Sequence, residues 1–254
     1  MRAAAAILRR LCVLLVLGDG IAAARAETAT VAVATNFAKA AEQLIAGFEA
    51  QTDHRITLVT GSTGKLFAQI IEGAPFDAFL AADQARPARL EAENRAVAGA
   101  RFTYAKGQLV LWSATPGFIK PDGAAALRAG DFTHLAIANP DLAPYGLAAK
   151  QALQGLDLWD ALRPKLVMGQ NIGQAFSMVA TGNAELGLVA KSYAVSNRNR
   201  ESGHHWDVPE ALYDPIRQDA VLLREANVAA RDFLAYLKGG EARLLIQDHG
   251  YHVE

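Results

Sequence analysis

The segment TVAVATNFAKAAEQLIAGFEA, residues 30–50, contains one strand followed directly by one helix. Residues 30–34 form a short apolar run that is typical of a buried strand. From Phe37 onward, apolar residues recur at helical spacing: Phe37, Ala40, Ala41, Leu44, Ile45 and Phe48. The segment therefore predicts a strand that leads through Thr35 and Asn36 into an amphipathic helix.

The same strand–helix pattern recurs along the chain. It predicts strands at 56–59 and 76–80 with helices at 66–72 and 86–94, a βαβαβ order typical of a parallel sheet with helices on both faces. The alternation resumes at residue 109, with strands at 109–112, 135–138, 165–167 and 186–189 and helices at 147–153 and 173–181. A last strand is predicted at 220–223, before helices at 227–237 and 240–249. Because no low-complexity linker separates the units, we expect an α/β fold of two lobes, 27–107 plus 220–254 and 108–219.

Residues 1–26 have the features of a cleavable signal peptide. Basic Arg2, Arg9 and Arg10 precede an apolar run at 11–17, and Ala24 and Ala26 suit signal peptidase. The apolar run is much shorter than the roughly 20 residues that span a bilayer. The predicted mature chain has 228 residues (254 minus 26) and contains no cysteine, because Cys12 lies in the signal. Disulfides, thiolate metal sites and cysteine nucleophiles are thereby excluded for it.

The charge balance argues against a nucleic-acid partner. The full chain carries a net charge of −1, and the segment 1–26 carries four Arg and one Asp, so its removal leaves −4. A nucleic-acid-binding surface needs clustered Lys and Arg and a high pI.

Four strand-to-helix junctions are candidates for a ligand site, because ligands of open α/β sheets bind beyond the carboxyl ends of the strands. They are residues 34–36, 60–65, 139–146 and 169–173. The first, second and fourth offer hydroxyls, amides and glycine backbone, and contain no acid. Each polar residue on its own could be a simple helix cap. Together they favour a fully ionised anion, since helix N-termini carry unpaired N–H donors and a partial positive charge of about half a unit.

The second junction does not form a nucleotide-binding P-loop. That motif requires a glycine where Val59 stands and a hydroxyl where Leu66 stands.

A series of motifs in order resembles the periplasmic molybdate-binding proteins of ABC importers. The motifs are Ala34-Thr35-Asn36-Phe37, Gly61-Ser62-Thr63-Gly64-Lys65-Leu66, Gly73-Ala74-Pro75-Phe76-Asp77, Ala138-Asn139-Pro140, Pro144-Tyr145-Gly146 and Gly187-Leu188-Val189. The resemblance implies a two-lobed periplasmic-binding-protein fold of type II with the ligand cleft between the lobes. It further implies a monomeric, periplasmic receptor without catalytic activity or cofactor, which binds molybdate or tungstate and delivers it to a permease in the inner membrane.

The resemblance also places the oxyanion contacts. Thr35, Asn36, Ser62 and Thr63 fall on the positions that donate from the first lobe. Tyr145 and Ile172 fall on those of the second lobe, and Ile172 would act through its backbone N–H. One branch of the family has a tyrosine just after the Gly-Leu-Val strand, where this chain has Ala190.

Other receptors and an enzyme remain as alternatives. Phosphate keeps a proton at neutral pH and would require a carboxylate acceptor, whereas sulfate is a dianion that only cavity size distinguishes from molybdate. A ferric-ion receptor would need paired tyrosines, but Tyr145, Tyr193 and Tyr213 are isolated, and the six histidines are too scattered to predict a metal site. A secreted enzyme would need a nucleophile motif, an acid pair or a metal motif, none of which is recognisable.

Overall fold

The computed structural model of the chain describes residues 26–119, 122–195 and 204–253. The predicted signal peptide lies outside these residues except for Ala26. The strands are β1 Thr28–Ala34, β2 Arg55–Gly61, β3 Ala78–Leu80, β4 Phe102–Gly107, β5 Leu109–Ser113, β6 Leu135–Ala138, β7 Leu166–Gly169, β8 Leu186–Ala190, β9 His204–Asp207 and β10 Ile216–Leu222. The helices are α1 Ala38–Gln51, α2 Thr63–Ile71, α3 Ala85–Ala92, α4 Gly123–Ala129, α5 Pro144–Gly155, α6 Trp159–Leu162, α7 Ile172–Ala180, α8 Lys191–Ala194, α9 Val228–Tyr236 and α10 Gly240–Asp248.

The strands form two five-stranded sheets, in the orders β2-β1-β3-β10-β4 and β7-β6-β8-β5-β9. β1 pairs in parallel with β2 and β3, and β6 pairs in parallel with β7 and β8. The parallel pairing predicted from the βαβαβ order is confirmed for β1, β2 and β3. At the other end of each sheet, β10 and β5 are antiparallel to their neighbours. β4 and β9, which the periodicity did not predict, complete these antiparallel ends.

The chain passes between the sheets twice. Only Gln108 separates β4 in the first sheet from β5 in the second, and residues 208–215 lead from β9 back to β10. The return was expected near residue 219, but β10 begins at Ile216, so the crossing lies earlier in the chain. β10 also carries an irregularity of register between Gln218 and Asp219.

Each sheet has a hydrophobic core of its own. In the first, α1 buries Ala40, Ala41, Leu44, Ile45 and Phe48, the apolar stripe visible in the sequence. The C-terminal α9 joins the same core, where the rings of Phe48 and Phe233 pack edge to face with their centroids 5.4 Å apart. Burial of each Leu, Ile or Phe side chain stabilises the lobe by about 1.5–3 kcal/mol. The tail therefore packs on the first sheet.

Parallel strands position the ligand-facing loops. β1 and β2 end side by side, as do β6 and β7, and each is followed by a helix: α1, α2, α5 and α7. α5 begins at Pro144, three residues earlier than the periodicity predicts, because proline is well tolerated in the first helical turn. Across 26–119, 122–195 and 204–253, no helix is both long and apolar enough to cross a membrane.

Candidate functional site

The N-termini of α2, α5 and α7 and the 3-10 turn Thr35–Phe37 before α1 meet at one small cavity between the lobes. Its free space of about 190 Å³ includes the part that is open to solvent. It is lined by Ala34, Thr35, Asn36, Gly61, Ser62, Thr63, Ala82, Ala143, Pro144, Tyr145, Asn171 and Ile172. All six residues predicted for the site are in this lining, four from the first lobe and two from the second. None of the lining residues has an acidic or basic side chain. The cavity is therefore neutral, with hydrogen-bonding groups on both sides.

The backbone supplies donors from three helices. Thr63 is the first residue of α2, Tyr145 the second of α5 and Ile172 the first of α7. An N–H in the first turn of a helix has no intrahelical acceptor. The capping side chains Ser62 and Asn171 accept from the later N–H groups of Lys65 and Gln174, so they do not occupy these three donors.

The hydroxyls of Ser62 and Thr63 can both donate into the cavity. Thr63 Oγ1 accepts the N–H of Ala82 at 3.0 Å, and Ser62 Oγ accepts the N–H of Lys65 at 3.3 Å. Because each oxygen acts as an acceptor in these bonds, each keeps its own proton to donate. Thr63 and Ser62 are 1% and 4% exposed, so an anion here would be almost fully shielded from water.

The side chains of Thr35 and Asn36 form hydrogen bonds with other residues of the protein. Thr35 Oγ1 donates to the carbonyl of Gly61 at 2.8 Å and joins the two first-lobe loops. Asn36 Nδ2 donates to Gln218 Oε1 at 2.8 Å and to the Tyr251 hydroxyl at 3.1 Å. Both amide protons of Asn36 are therefore in use, so its backbone N–H is the donor that it can offer to the cavity.

Tyr145 likewise turns its side chain away from a ligand role. Its hydroxyl accepts from Gln218 Nε2 at 3.4 Å, and the residue is 1% exposed. Burial raises the pKa of the Tyr145 phenol well above its usual value. The phenol therefore stays neutral. Its hydroxyl lies beside Gly107 and Gln218, neither of which lines the cavity, so the backbone N–H is the group that Tyr145 can offer to an anion.

The two lobes touch directly around the cavity. The N–H of Gly64 donates to the carbonyl of Leu142 at 2.9 Å, and Ser192 Oγ donates to the carbonyl of Asn36 at 3.1 Å. The hydroxyl of Tyr193 donates to the carbonyl of Thr35 at 2.7 Å. The cleft is thus closed over the site.

Tyr193 is a residue that sequence reasoning missed. Ala190, the position compared with the family tyrosine, lies at the end of β8, and Tyr193 follows three residues later in α8. Its hydroxyl reaches the first lobe without being part of the cavity lining. Spacing from the Gly-Leu-Val motif gave no signal for it, because α8 was not predicted.

The described residues include no cluster of three or more His, Cys, Asp or Glu side chains suited to a metal ion. The donors at the cavity are N–H and O–H groups, which suit an anion rather than a cation.

Comparison with known proteins gives the family. Residues 29–252 match the model of the bacterial extracellular solute-binding proteins. The chain belongs to this family. The resemblance inferred from the sequence motifs and the two-lobed α/β class are thereby confirmed.

Individual relatives of this solute-binding protein are close over nearly their whole length. It is 48% identical to the molybdate-binding protein ModA of Azotobacter vinelandii over 249 residues, which cover 97% of this chain and 98% of that one. It is 44% identical to ModA of Rhodobacter capsulatus, with 94% of each chain covered. The solved periplasmic molybdate-binding protein of Azotobacter vinelandii superposes with a TM-score of 0.85 at 39% identity, covering 89% of this chain and 99% of that one.

Proposed function

We propose that this protein binds molybdate and tungstate in the periplasm and delivers them to an ABC-type permease in the inner membrane. The observation that carries the proposal is the neutral cavity, where helix N-termini from both lobes meet two free hydroxyl protons of the first lobe. The 48% identical relative named as a molybdate-binding protein supports the choice of anion.

The donors suit a fully ionised tetrahedral anion. The backbone N–H groups of Asn36, Thr63, Tyr145 and Ile172 and the hydroxyls of Ser62 and Thr63 would surround its oxygens, and Thr35 would hold the two first-lobe loops together. Neutral donors avoid the cost of desolvating a buried counter-charge. Helix dipoles and oriented N–H groups stabilise the anion once the lobes exclude water.

The same lining disfavours two alternatives. Phosphate carries a proton at neutral pH, and no lining residue has a carboxylate to accept it. Ferric iron requires anionic oxygen ligands, and the only lining phenol, Tyr145, is turned away and held neutral. Sulfate shares the charge and shape of molybdate, so it is the alternative that an experiment must separate by size.

The remaining features follow from this role. We propose a monomeric receptor, without catalytic activity or cofactor, that is exported by cleavage of residues 1–26. One lobe comprises residues 27–107 together with β10 and the tail, and the other comprises the segment between them. The two crossings beside Gln108 and before Ile216 would act as the hinge for opening and release.

Thermal unfolding with different anions tests the proposal. The signal-free protein is melted with equal concentrations of molybdate, tungstate, sulfate, phosphate and perchlorate, the last being tetrahedral with one charge. A ligand at 100 times its Kd stabilises the folded state by about 2.7 kcal/mol. We expect large shifts with molybdate and tungstate only. A sulfate shift equal to that of molybdate would overturn the assignment of the ligand, and no shift with any anion would overturn the receptor role.

A further inference from the structure

Gln218 is a fully buried amide at the centre of a hydrogen-bond network behind the cavity. It is 0% exposed and lies on β10, beside the register irregularity. Its Oε1 accepts from Asn36 Nδ2 at 2.8 Å, and its Nε2 donates to the Tyr145 hydroxyl at 3.4 Å. The Tyr104 hydroxyl lies 3.1 Å from Oε1 and shares its one proton between Oε1 and the carbonyl of Ala81 at 3.0 Å. A buried amide of this kind is costly unless its donors and acceptors are paired.

The partners of Gln218 belong to both lobes. Asn36 follows β1 in the first sheet, and Tyr145 begins α5 beside the second. Both residues line the cavity, yet both direct their side chains to Gln218 and not to the ligand space. The orientation of their backbone N–H groups is thus coupled to a residue that is not itself in the cavity lining.

The network also packs against the first crossing between the lobes. A Cβ added to Gly107, the last residue of β4, would lie 2.0 Å from the Tyr145 hydroxyl and 2.7 Å from Gln218 Nε2. Only a hydrogen atom fits there, so the amide, the phenol and the crossing strand are in close contact. Burial raises the pKa of Tyr104 and of Tyr251 as well, so the phenols of the network remain neutral donors.

We propose that Gln218 is a positioning residue of the anion site. It holds Asn36 of one lobe and Tyr145 of the other so that their backbone N–H groups face the ligand when the cleft is closed. Gln218 thereby sets the affinity for the anion without touching it. This inference rests on the proposed function.

The substitution Gln218→Met tests the inference, because methionine has a similar length and shape but makes none of the three hydrogen bonds. Gln84→Met is the matched control. Gln84 Nε2 donates to Thr103 Oγ1 at 3.0 Å and to Asp219 Oδ1 at 3.1 Å. Gln84→Met thus removes two hydrogen bonds of a partly buried amide in the same lobe, at a residue outside the cavity lining. Molybdate affinity is measured by calorimetric titration, folding by circular dichroism and closure by small-angle scattering.

We expect Gln218→Met to weaken molybdate binding by about tenfold or more, as for one charge-assisted hydrogen bond lost. Gln84→Met should stay within about twofold of the parent, whatever its effect on thermal stability. Tyr145→Phe keeps the backbone N–H and removes the cross-lobe bond, so it should weaken binding in the parent and have less effect in the Gln218→Met background. If Gln218 were merely structural, Gln218→Met would lower stability, but the effect of Tyr145→Phe on molybdate affinity would be the same with and without it.

The outcomes separate the two proposals. If the parent binds no molybdate, the proposed function is wrong. If the parent binds and folded Gln218→Met binds equally well, or Gln84→Met is weakened just as much, Gln218 has no positioning role. Should Gln218→Met fail to fold, Tyr145→Phe decides: parental affinity in that variant overturns the inference, and weaker binding with an intact fold supports it.

Discussion

The substitution Ile172→Pro isolates one backbone donor of the site. Ile172 is the first residue of α7, where a proline is compatible with the helix because this N–H has no intrahelical acceptor. Its predecessor Asn171 has φ −149° and ψ 171°, an extended conformation of the kind that a following proline requires. The exchange therefore removes the donor that would face the anion and leaves the path of the chain unchanged.

The magnitude follows from the lost bond. A hydrogen bond to a charged partner contributes about 1.5–3 kcal/mol, so molybdate affinity should fall by roughly 10- to 150-fold. The Ile172 side chain is 3% exposed, and its removal also reduces packing. Ile172→Ala serves as the control, since it loses the side chain, at a cost of about 2–5 kcal/mol in stability, but keeps the N–H.

Calorimetric titration of both variants decides the question, with circular dichroism to confirm that each is folded. The alanine variant should bind molybdate nearly as well as the parent, provided that the temperature is well below its melting point. The proline variant should bind far more weakly. Equal affinity of the two variants would show that this N–H does not contact the anion and would refute the assignment of Ile172 to the site.

Three further predictions concern the site and the buried tyrosines of the fold. Thr63→Val should weaken molybdate binding by roughly 10- to 150-fold, as measured by calorimetric titration. It should also destabilise the unliganded protein by about 1–3 kcal/mol in thermal melts, because the buried N–H of Ala82 loses its acceptor. Thr52→Val, remote from the cavity, is the control and should bind molybdate like the parent. Molybdate affinity should be constant between about pH 6.5 and 9, where no lining group titrates. Above about pH 10 the stability should fall, because tyrosines ionise in the unfolded chain while burial raises the pKa of Tyr104, Tyr145 and Tyr251 in the folded one. Melts from pH 8 to 11 test this, and stability that rises over this range would contradict it.

The sequence was most informative where local pattern and tertiary structure agree. The stripe of α1 and the strands β1, β6 and β8 follow from periodicity, because their apolar residues are the ones that are buried. β4 and β9 were missed. β4, read as Phe-Thr-Tyr-Ala-Lys-Gly, mixes polar and apolar residues without strict alternation, since its residues serve a crossing between lobes and not a uniform face.

The sequence predicts which loops form the site, but not which atoms of each residue face the ligand. Hydroxyls and glycines at strand ends indicated which junctions would converge, and the six predicted residues do line one cavity. The directions of the side chains could not be read in this way. Gln218 binds the amide of Asn36 and the phenol of Tyr145. Because it lies 182 residues from Asn36 and 73 residues from Tyr145 along the chain, no local sequence pattern predicts these contacts.

When a site binds its ligand through backbone N–H groups, the identity of the side chains at those positions does not decide which ligand is bound. Asn36, Tyr145 and Ile172 would present the same donor whatever side chain they carried, so their side chains are available for packing and for the network around Gln218. The positions of the backbone donors then depend on the contacts that these side chains make outside the cavity. In such a site, substitutions behind the cavity can change affinity as strongly as substitutions within it. The comparison of Gln218→Met with Gln84→Met measures that distinction directly. Both variants lose hydrogen bonds of a glutamine amide in the same lobe, and only Gln218 holds residues that face the anion.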